Sequence, residues 1–254
     1  MGKSYQEITE ELAKRIRLIM TDVDGTLLTT GEYVSQGVID SITGLMASGI
    51  IVGLVSGRTI PRLERLALYA KTDGPIIAEN GGTAKLKTGD ELFDLGYSRQ
   101  SALEVFKKLQ SIFPGDITEK EDNNDRRIDV AIRTAGQTAD ELRKHIENIQ
   151  LLDSGYMFHL LQEGVSKGRT LERLVGQIAD GGLSKDEIMV FGDSLTDISL
   201  FELFPHSVMI INPGLTEEHR ETVSEKAEFT SSLICGDGFI EVASRIINLR
   251  QNKG

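Results

Sequence analysis

The chain has a single cysteine, Cys235, among its 254 residues. An intrachain disulfide and a multi-cysteine metal site are therefore excluded, and a reducing, cytoplasmic setting is expected. Long apolar runs are also missing: none approaches the ~18–20 residues of a membrane helix, so no membrane association is expected. Residues 1–14 are polar and carry five charged side chains, which is not the pattern of a secretory signal. Basic charge is short as well, with 28 Lys and Arg against 39 Asp and Glu, a formal net charge of −11. A general nucleic-acid binder needs a basic surface, so no nucleic-acid partner is expected. The acidic surplus is compatible with a carboxylate-rich metal site. A composition of 39% hydrophobic and 26% charged residues suits a soluble globular protein.

The pattern along the chain supplies the rest. Residues 4–14 read as a helix, with Ser4 and Glu7 spaced as a capping box. Residues 15–21 (RIRLIMT) form an apolar run that stops at Asp22, the mark of a buried strand. A helix begins at Ser35, buries Val38, Ile42, Leu45 and Met46, and ends at Gly49. Residues 50–55 (IIVGLV) predict a second strand, stopping at Ser56-Gly57-Arg58. A helix over 61–71 follows, then a third strand over 75–78 before Glu79-Asn80-Gly81-Gly82. This strand–helix alternation predicts α/β architecture, a doubly wound parallel sheet with its chemistry at the strands' carboxyl ends.

From 83 to 161 the rhythm changes. A hairpin over 84–87 and 92–95, helices over 101–112 and 140–149, and strands over 115–119, 127–133 and 156–161 predict a small inserted α+β unit. The parallel pattern then resumes. A helix over 167–178 precedes a strand over 187–191 that ends in Gly192-Asp193-Ser194. A strand over 207–211 ends at Asn212, and a helix over 238–249 closes the chain. The expected division is a core of 1–82 and 162–254, with 83–161 inserted.

The strongest chemical signal is Asp22-Val23-Asp24-Gly25-Thr26 at a strand end. Two carboxylates one residue apart suit a divalent metal and a phosphorus centre, since the first can attack and the second can shuttle a proton. Gly25 permits a tight turn whose N–H groups face an anion. Taken singly, Ser56 or Asp193 could be a helix N-cap and Lys167 a surface lysine. Their order, each at a strand or helix end, is what moves them into a site.

With these residues the sequence resembles the haloacid dehalogenase superfamily of phosphohydrolases. DVDGT matches its first motif, Ser56 in VSGR the second, Lys167 in GVSKG the third, and Gly192, Asp193 and Asp197 in FGDSLTD the fourth. The resemblance implies a Rossmann-like core, with Asp22 as nucleophile and Asp24 as acid and base. It implies that Ser56 and Lys167 hold the phosphoryl group. It also implies Mg²⁺ on the Asp22 carboxylate, the Asp24 carbonyl and the Asp193 carboxylate, with Asp197 behind them holding waters or Lys167. Thr196 departs from the pattern, standing where the branch described next usually has Asn.

The insertion falls between the second and third motifs. That placement resembles the Cof-type branch, type IIB, whose α+β cap is of the C2 class, and ENGG and EGVSKG are similar to that branch too. Residues 154–167 are similar to archaeal phosphoglycolate phosphatases and sucrose-phosphatase-like enzymes. The implied function is hydrolysis of a small phosphomonoester, phosphoglycolate or a sugar phosphate, through an aspartyl phosphate, by a monomer or homodimer. A phosphomannomutase-like mutase or a non-catalytic phospho-ligand binder are the alternatives. Asp24 disfavours a dehalogenase, because C–halogen cleavage needs no such acid.

Because the core motifs see only the phosphoryl group, the cap is expected to supply substrate recognition, together with core positions that face it. Gly57, Arg58, Glu79, Asn80 and Asn212, at strand ends, are candidates. Arg126 and Arg127 could clamp a second anion, although a solvated strand start explains them better. His159, in an apolar run, reads as a satisfied, partly buried histidine.

Overall fold

The computed structural model describes residues 2–251 except 30, 32, 156 and 180. In chain order, β1 (Lys3–Ser4), β2 (Leu18–Thr21), β3 (Ile51–Val55), β4 (Ile76–Ala78) and β5 (Thr83–Lys85) belong to an eight-stranded sheet. β6 (Ile117–Glu119), β7 (Val130–Thr134), β8 (Ile149–Asp153) and β9 (Phe158–Gln162) form a second sheet. β10 (Ile188–Gly192), β11 (His206–Ile211) and β12 (Phe229–Ile234) return to the first. The helices are α1 (Glu10–Arg15), α2 (Gln36–Ala47), α3 (Ile60–Ala70), α4 (Gln100–Ile112), α5 (Ala139–Arg143), α6 (Lys167–Leu174), α7 (Ile198–Leu203), α8 (Glu217–Lys226) and α9 (Cys235–Gln251).

The large sheet runs β1-β12-β11-β10-β2-β3-β4-β5 and is parallel except at β4–β5. β2 lies between β3, the next strand in the chain, and β10, which follows the insertion. The strand order therefore reverses between β2 and β10, and such a switch point opens a crevice at the carboxyl ends. Alternation along β2 sends Ile19 into one core layer and Leu18 and Met20 into the other, so the sheet is buried on both faces, as a parallel sheet requires. Ile42, Leu63, Phe239 and Ile246 pack on the first layer, and Leu171, Leu174 and Phe204 on the second.

The four-stranded sheet, ordered β6-β7-β9-β8, is antiparallel throughout. It has its own core, including Phe106, Leu109, Val130, Ile132, Leu151 and Leu160.

Several elements differ from the sequence expectation. Ser4 and Glu7 do form a capping box, but on a single 3-10 turn, Tyr5–Glu7. Buried Ile8 breaks the chain there, and Thr9 starts α1. Of the expected hairpin over 84–87 and 92–95, only Thr83–Lys85 is a strand, β5, and it pairs with β4 on the large sheet; 92–95 is no strand, although Phe93 N–H donates to the Ala84 carbonyl and Ala84 and Leu95 join the large-sheet core. The helix expected over 140–149 stops at Arg143, and residues 149–153 are strand β8.

Candidate active site

The switch point gathers the first, third and fourth motifs. Asp22 follows β2, and its N–H donates to the Phe191 carbonyl at 2.9 Å. Lys167, the first residue of α6, donates its ammonium to Asp22 Oδ1 at 2.6 Å and to Asp197 Oδ1 at 2.7 Å. The other Asp197 oxygen, Oδ2, accepts Asp193 N–H at 3.1 Å and Ser194 N–H and Oγ–H at 3.0 Å each. Asp193 in turn accepts Thr26 Oγ1–H on Oδ1 and Asn212 Nδ2–H on Oδ2, both at 2.7 Å. Residues 22, 26, 167, 193, 197 and 212, from four separate stretches of chain, thus form one network.

Gly25 explains how the first motif comes so close. Its φ is +89°, and a Cβ there would lie 2.3 Å from Asp193 Oδ2 and 2.4 Å from Asn212 Nδ2. Only glycine satisfies both the left-handed conformation and the approach.

The electrostatics follow from burial. Asp22, Asp193, Asp197 and Lys167 are all buried, so three carboxylates face one ammonium. Burial pushes the Asp22 carboxyl well above its usual range; Lys167 opposes the shift, and Asp197 and Asp193 reinforce it. Burial and the neighbouring Asp197 push Asp193 up to about 7. Burial alone would lower Lys167, but Asp197 and Asp22 outweigh it and hold the ammonium above its ordinary value. Oxygens of Asp22, Asp193 and Asp197 lie within 4.8 Å of one another. An all-oxygen cluster with excess buried negative charge fits a hard divalent cation, whose binding relieves the repulsion. With Asp197 Oδ2 already accepting three bonds and Oδ1 on Lys167, Asp22 and Asp193 have the freer oxygens.

A cleft of about 270 Å³ opens at this cluster. It is lined by Asp22, Asp24, Ser56, Gly57, Arg58, Asn80 and Lys167, as the sequence proposed. Ser56 Oγ accepts Arg58 N–H at 3.2 Å within the turn; the N-cap of α3 is Thr59, so the helix-cap reading of Ser56 does not hold and the site-lining one remains. Asn80 is buried, and its Nδ2 has no partner among the described residues. Thr196, the departure from the family pattern, also lines the cleft, with its hydroxyl 2.9 Å from Ser194 Oγ.

Three candidates lie elsewhere. Glu79 is fully buried, with φ +53°, and its carboxylate accepts the N–H groups of Arg127, Ile128 and Asp129 at 2.8–3.0 Å. It ties the end of β4 to the segment entering β7 instead of facing the cleft. Asn212 holds Asp193 from outside the cleft lining. The Arg127 side chain is exposed and absent from the cleft lining; its backbone N–H is spent on Glu79. The clamp of Arg126 with Arg127, the less favoured reading, therefore does not form, and Arg127 fits the solvated strand start.

Arg126 does line the cleft, but buried and committed. It donates to Asp122 Oδ1 at 3.2 Å and Oδ2 at 3.3 Å, to Asp129 Oδ2, and to the Gly57 carbonyl at 3.0 Å. Gly31, Arg62, Lys120, Ser154, Met157, His159 and Ser194 complete the wall, and sequence reasoning proposed none of them for the site. His159 is indeed satisfied, its Nδ1 2.6 Å from Asp129 Oδ2, and it also lines the cleft. Its signal, a polar residue among apolar ones in a strand, does not separate the two roles.

The model of the haloacid dehalogenase-like hydrolases matches residues 19–117 and 108–217. The chain is 33% identical over 237 residues to a phosphoglycolate phosphatase of Methanoculleus marisnigri, covering 91% of this chain and 96% of that one. It is 30% identical over 235 residues to a phosphoglycolate phosphatase of Thermoplasma volcanium, covering 90% and 97%. A crystal structure of a Thermoplasma acidophilum protein superposes with a TM-score of 0.78 at 24% identity, over 92% of this chain and 99% of that one. A haloacid dehalogenase-like hydrolase from Bacteroides thetaiotaomicron gives 0.71 at 19% identity, over 91% and 99%; these two likenesses speak to the fold. Since the matched residues span both β2 and β10, and so the switch point itself, the chain belongs to the haloacid dehalogenase-like hydrolases, in their Cof-type branch of phosphohydrolases.

Proposed function

We propose that the chain is a Mg²⁺-dependent phosphatase hydrolysing a small-metabolite phosphomonoester, phosphoglycolate or a sugar phosphate, through an aspartyl phosphate on Asp22. The observation that carries this reading is Lys167 bridging Asp22 and Asp197 beside Asp193. That geometry presents one carboxylate oxygen to a phosphoryl group while a fixed cation stands next to it. The relatives' name, phosphoglycolate phosphatase, supports a small acidic ester, and a cleft of about 270 Å³ supports a small one.

In this reading Asp22 attacks phosphorus in line and the ester P–O bond breaks. Asp24 gives a proton to the departing alkoxide, then takes one from the water that attacks the aspartyl phosphate. That second displacement releases inorganic phosphate and restores Asp22. Ser56 donates to a phosphoryl oxygen, and Lys167 neutralises charge on the equatorial oxygens. The Asp22 and Asp193 carboxylates and the Asp24 carbonyl would hold Mg²⁺, with Asp197 behind them on Lys167. The ion, when bound, supplies further charge neutralisation at the phosphoryl group.

The segment 83–161 is the cap in this reading, with its working start near residue 98, since residues 84–95 pack on the large sheet. A cytoplasmic monomer or homodimer with a small-molecule partner goes with it. No helix among the described residues is long and apolar enough to cross a membrane. The test is a panel of phosphate esters with Mg²⁺, ranked by kcat/KM. Turnover of small acidic or sugar esters is expected, and failure to hydrolyse any would overturn the proposal.

A further inference from the structure

The catalytic residues touch the part all phosphomonoesters share, so the leaving group must be read by the rest of the wall. The segment 98–162 contributes Lys120, Arg126, Ser154, Met157 and His159 to the cleft. Three of these five carry cationic or potentially cationic groups, and one is a neutral hydroxyl. That set suits an acid better than a polyol.

The three differ in what they have left to offer. Arg126 is spent on Asp122, Asp129 and the Gly57 carbonyl. It contributes charge and rigidity. Lys120 has one ionic partner, Asp122 Oδ2 at 3.1 Å; an ammonium has three donors, so two are free. His159 is held by Asp129 through Nδ1, and Nε2 bonds no group among the described residues. A ring fixed through one nitrogen on a buried carboxylate presents the other nitrogen in a set direction.

We propose that His159 and Lys120 form a subsite for a carboxylate on the leaving group, with Asp129 as the positioning residue that aims His159. The subsite rests on the phosphatase reading above and narrows its substrate class to phosphate esters of small hydroxy acids. Arg126, through Asp129 and Asp122, holds both arms: its guanidinium binds the carboxylate that anchors His159 and the one that anchors Lys120.

The matched probes are 2-phosphoglycolate and 2-hydroxyethyl phosphate, which differ by a carboxylate in place of a CH₂OH group. Wild-type enzyme with Mg²⁺ is expected to favour phosphoglycolate at least tenfold in kcat/KM. His159→Asn keeps a donor where Nδ1 lies, on Asp129, and withdraws Nε2 from the cleft. It is expected to reduce the preference about tenfold, mostly through KM, the scale of one charge-assisted hydrogen bond. Lys120→Met, at a partly exposed position, is expected to do the same and keeps the test open if the histidine variant misfolds. His159→Gln, whose amide reaches where Nε2 lies, recovers part of the preference. Equal losses on both esters, or an unchanged ratio in both variants, would overturn the subsite. Hydrolysis of p-nitrophenyl phosphate by a wild type with no preference between the matched esters removes the subsite alone. Hydrolysis of none of the three removes the phosphatase reading and the subsite together.

Discussion

Arg58 grips the Asp24 carboxylate in both arms, Nε to Oδ2 at 2.9 Å and Nη2 to Oδ1 at 2.6 Å. The pair joins the turn after β2 to the turn after β3 and so fixes the second motif-one carboxylate relative to Ser56. Asp24 is half-exposed, so the pair adds little stability. Its consequence is positional. Arg58→Ala is expected to lower kcat about tenfold with stability changed by less than about 1 kcal/mol. Arg58→Lys recovers part of the loss, because an ammonium cannot reproduce the two-pronged grip. Steady-state kinetics and melting curves check both.

Asp22→Asn separates activity from stability. Losing the proposed nucleophile is expected to reduce kcat by more than about 10³-fold. The fold is not expected to suffer. Although Asp22 is buried, burial, Asp197 and Asp193 all oppose its ionised form and outweigh Lys167. A carboxyl with its folded pKa raised is a net burden when ionised, so at neutral pH the metal-free Asn variant should melt at or above the wild-type temperature. A large drop in melting temperature would contradict this account of the cluster.

Metal dependence has two readouts. Chelation with EDTA is expected to abolish activity and Mg²⁺ to restore it. Ca²⁺ should inhibit, because its looser, larger coordination moves Asp22 off the in-line path. Independently of turnover, Mg²⁺ should raise the melting temperature of the wild type, by about 2.7 kcal/mol of stabilisation at 100 times Kd. Asp193→Ala should weaken that shift and raise the Mg²⁺ requirement.

The buried Asp122–Arg126 pair predicts a pH dependence of stability. Burial pushes the Asp122 carboxyl up, but Arg126 and Lys120 outweigh it and hold it below its ordinary value. Its stabilising contribution is therefore complete above about pH 4, the unfolded-state value, and is lost as pH falls through the lower folded value. Asp122→Asn should cost about 1–3 kcal/mol at pH 7 by urea unfolding. The gap from wild type should close as the pH is lowered through that range. A gap that stayed constant to pH 2.5 would show that the pair's charge is not what stabilises it.

The legible parts of the fold were the apolar runs with abrupt polar stops. β2, β3, β4 and β10 each bury nearly all their side chains, so a local hydrophobic run and its end were enough to place Asp22, Ser56, Glu79 and Asp193 at strand ends. The less legible parts had no such run. α8 is EEHRETVSEK with only Val223 buried, and β12 is half polar, so neither was expected. In α8 a Thr216 N-cap and an acidic first turn start a helix that hydrophobic periodicity does not reveal.

The sequence by itself determined which carboxylates and which lysine gather, and their order at the carboxyl ends of a parallel sheet. Those features are local, since a buried strand and the turn after it are written in fewer than ten consecutive residues. The tertiary structure decided the recognition wall. Antiparallel pairing of β7 with β9 sets Ala131 beside His159 and so brings the imidazole to Asp129, 30 residues away. Glu79 meets the N–H groups of Arg127, Ile128 and Asp129 from about 50 residues away. Whether Arg126 is a free clamp or a buried strut depends on that register, because a guanidinium spends its donors on whichever carboxylates the fold brings within reach. Side-chain type alone does not encode such partners; strand register and the closing of the insertion over the core supply them.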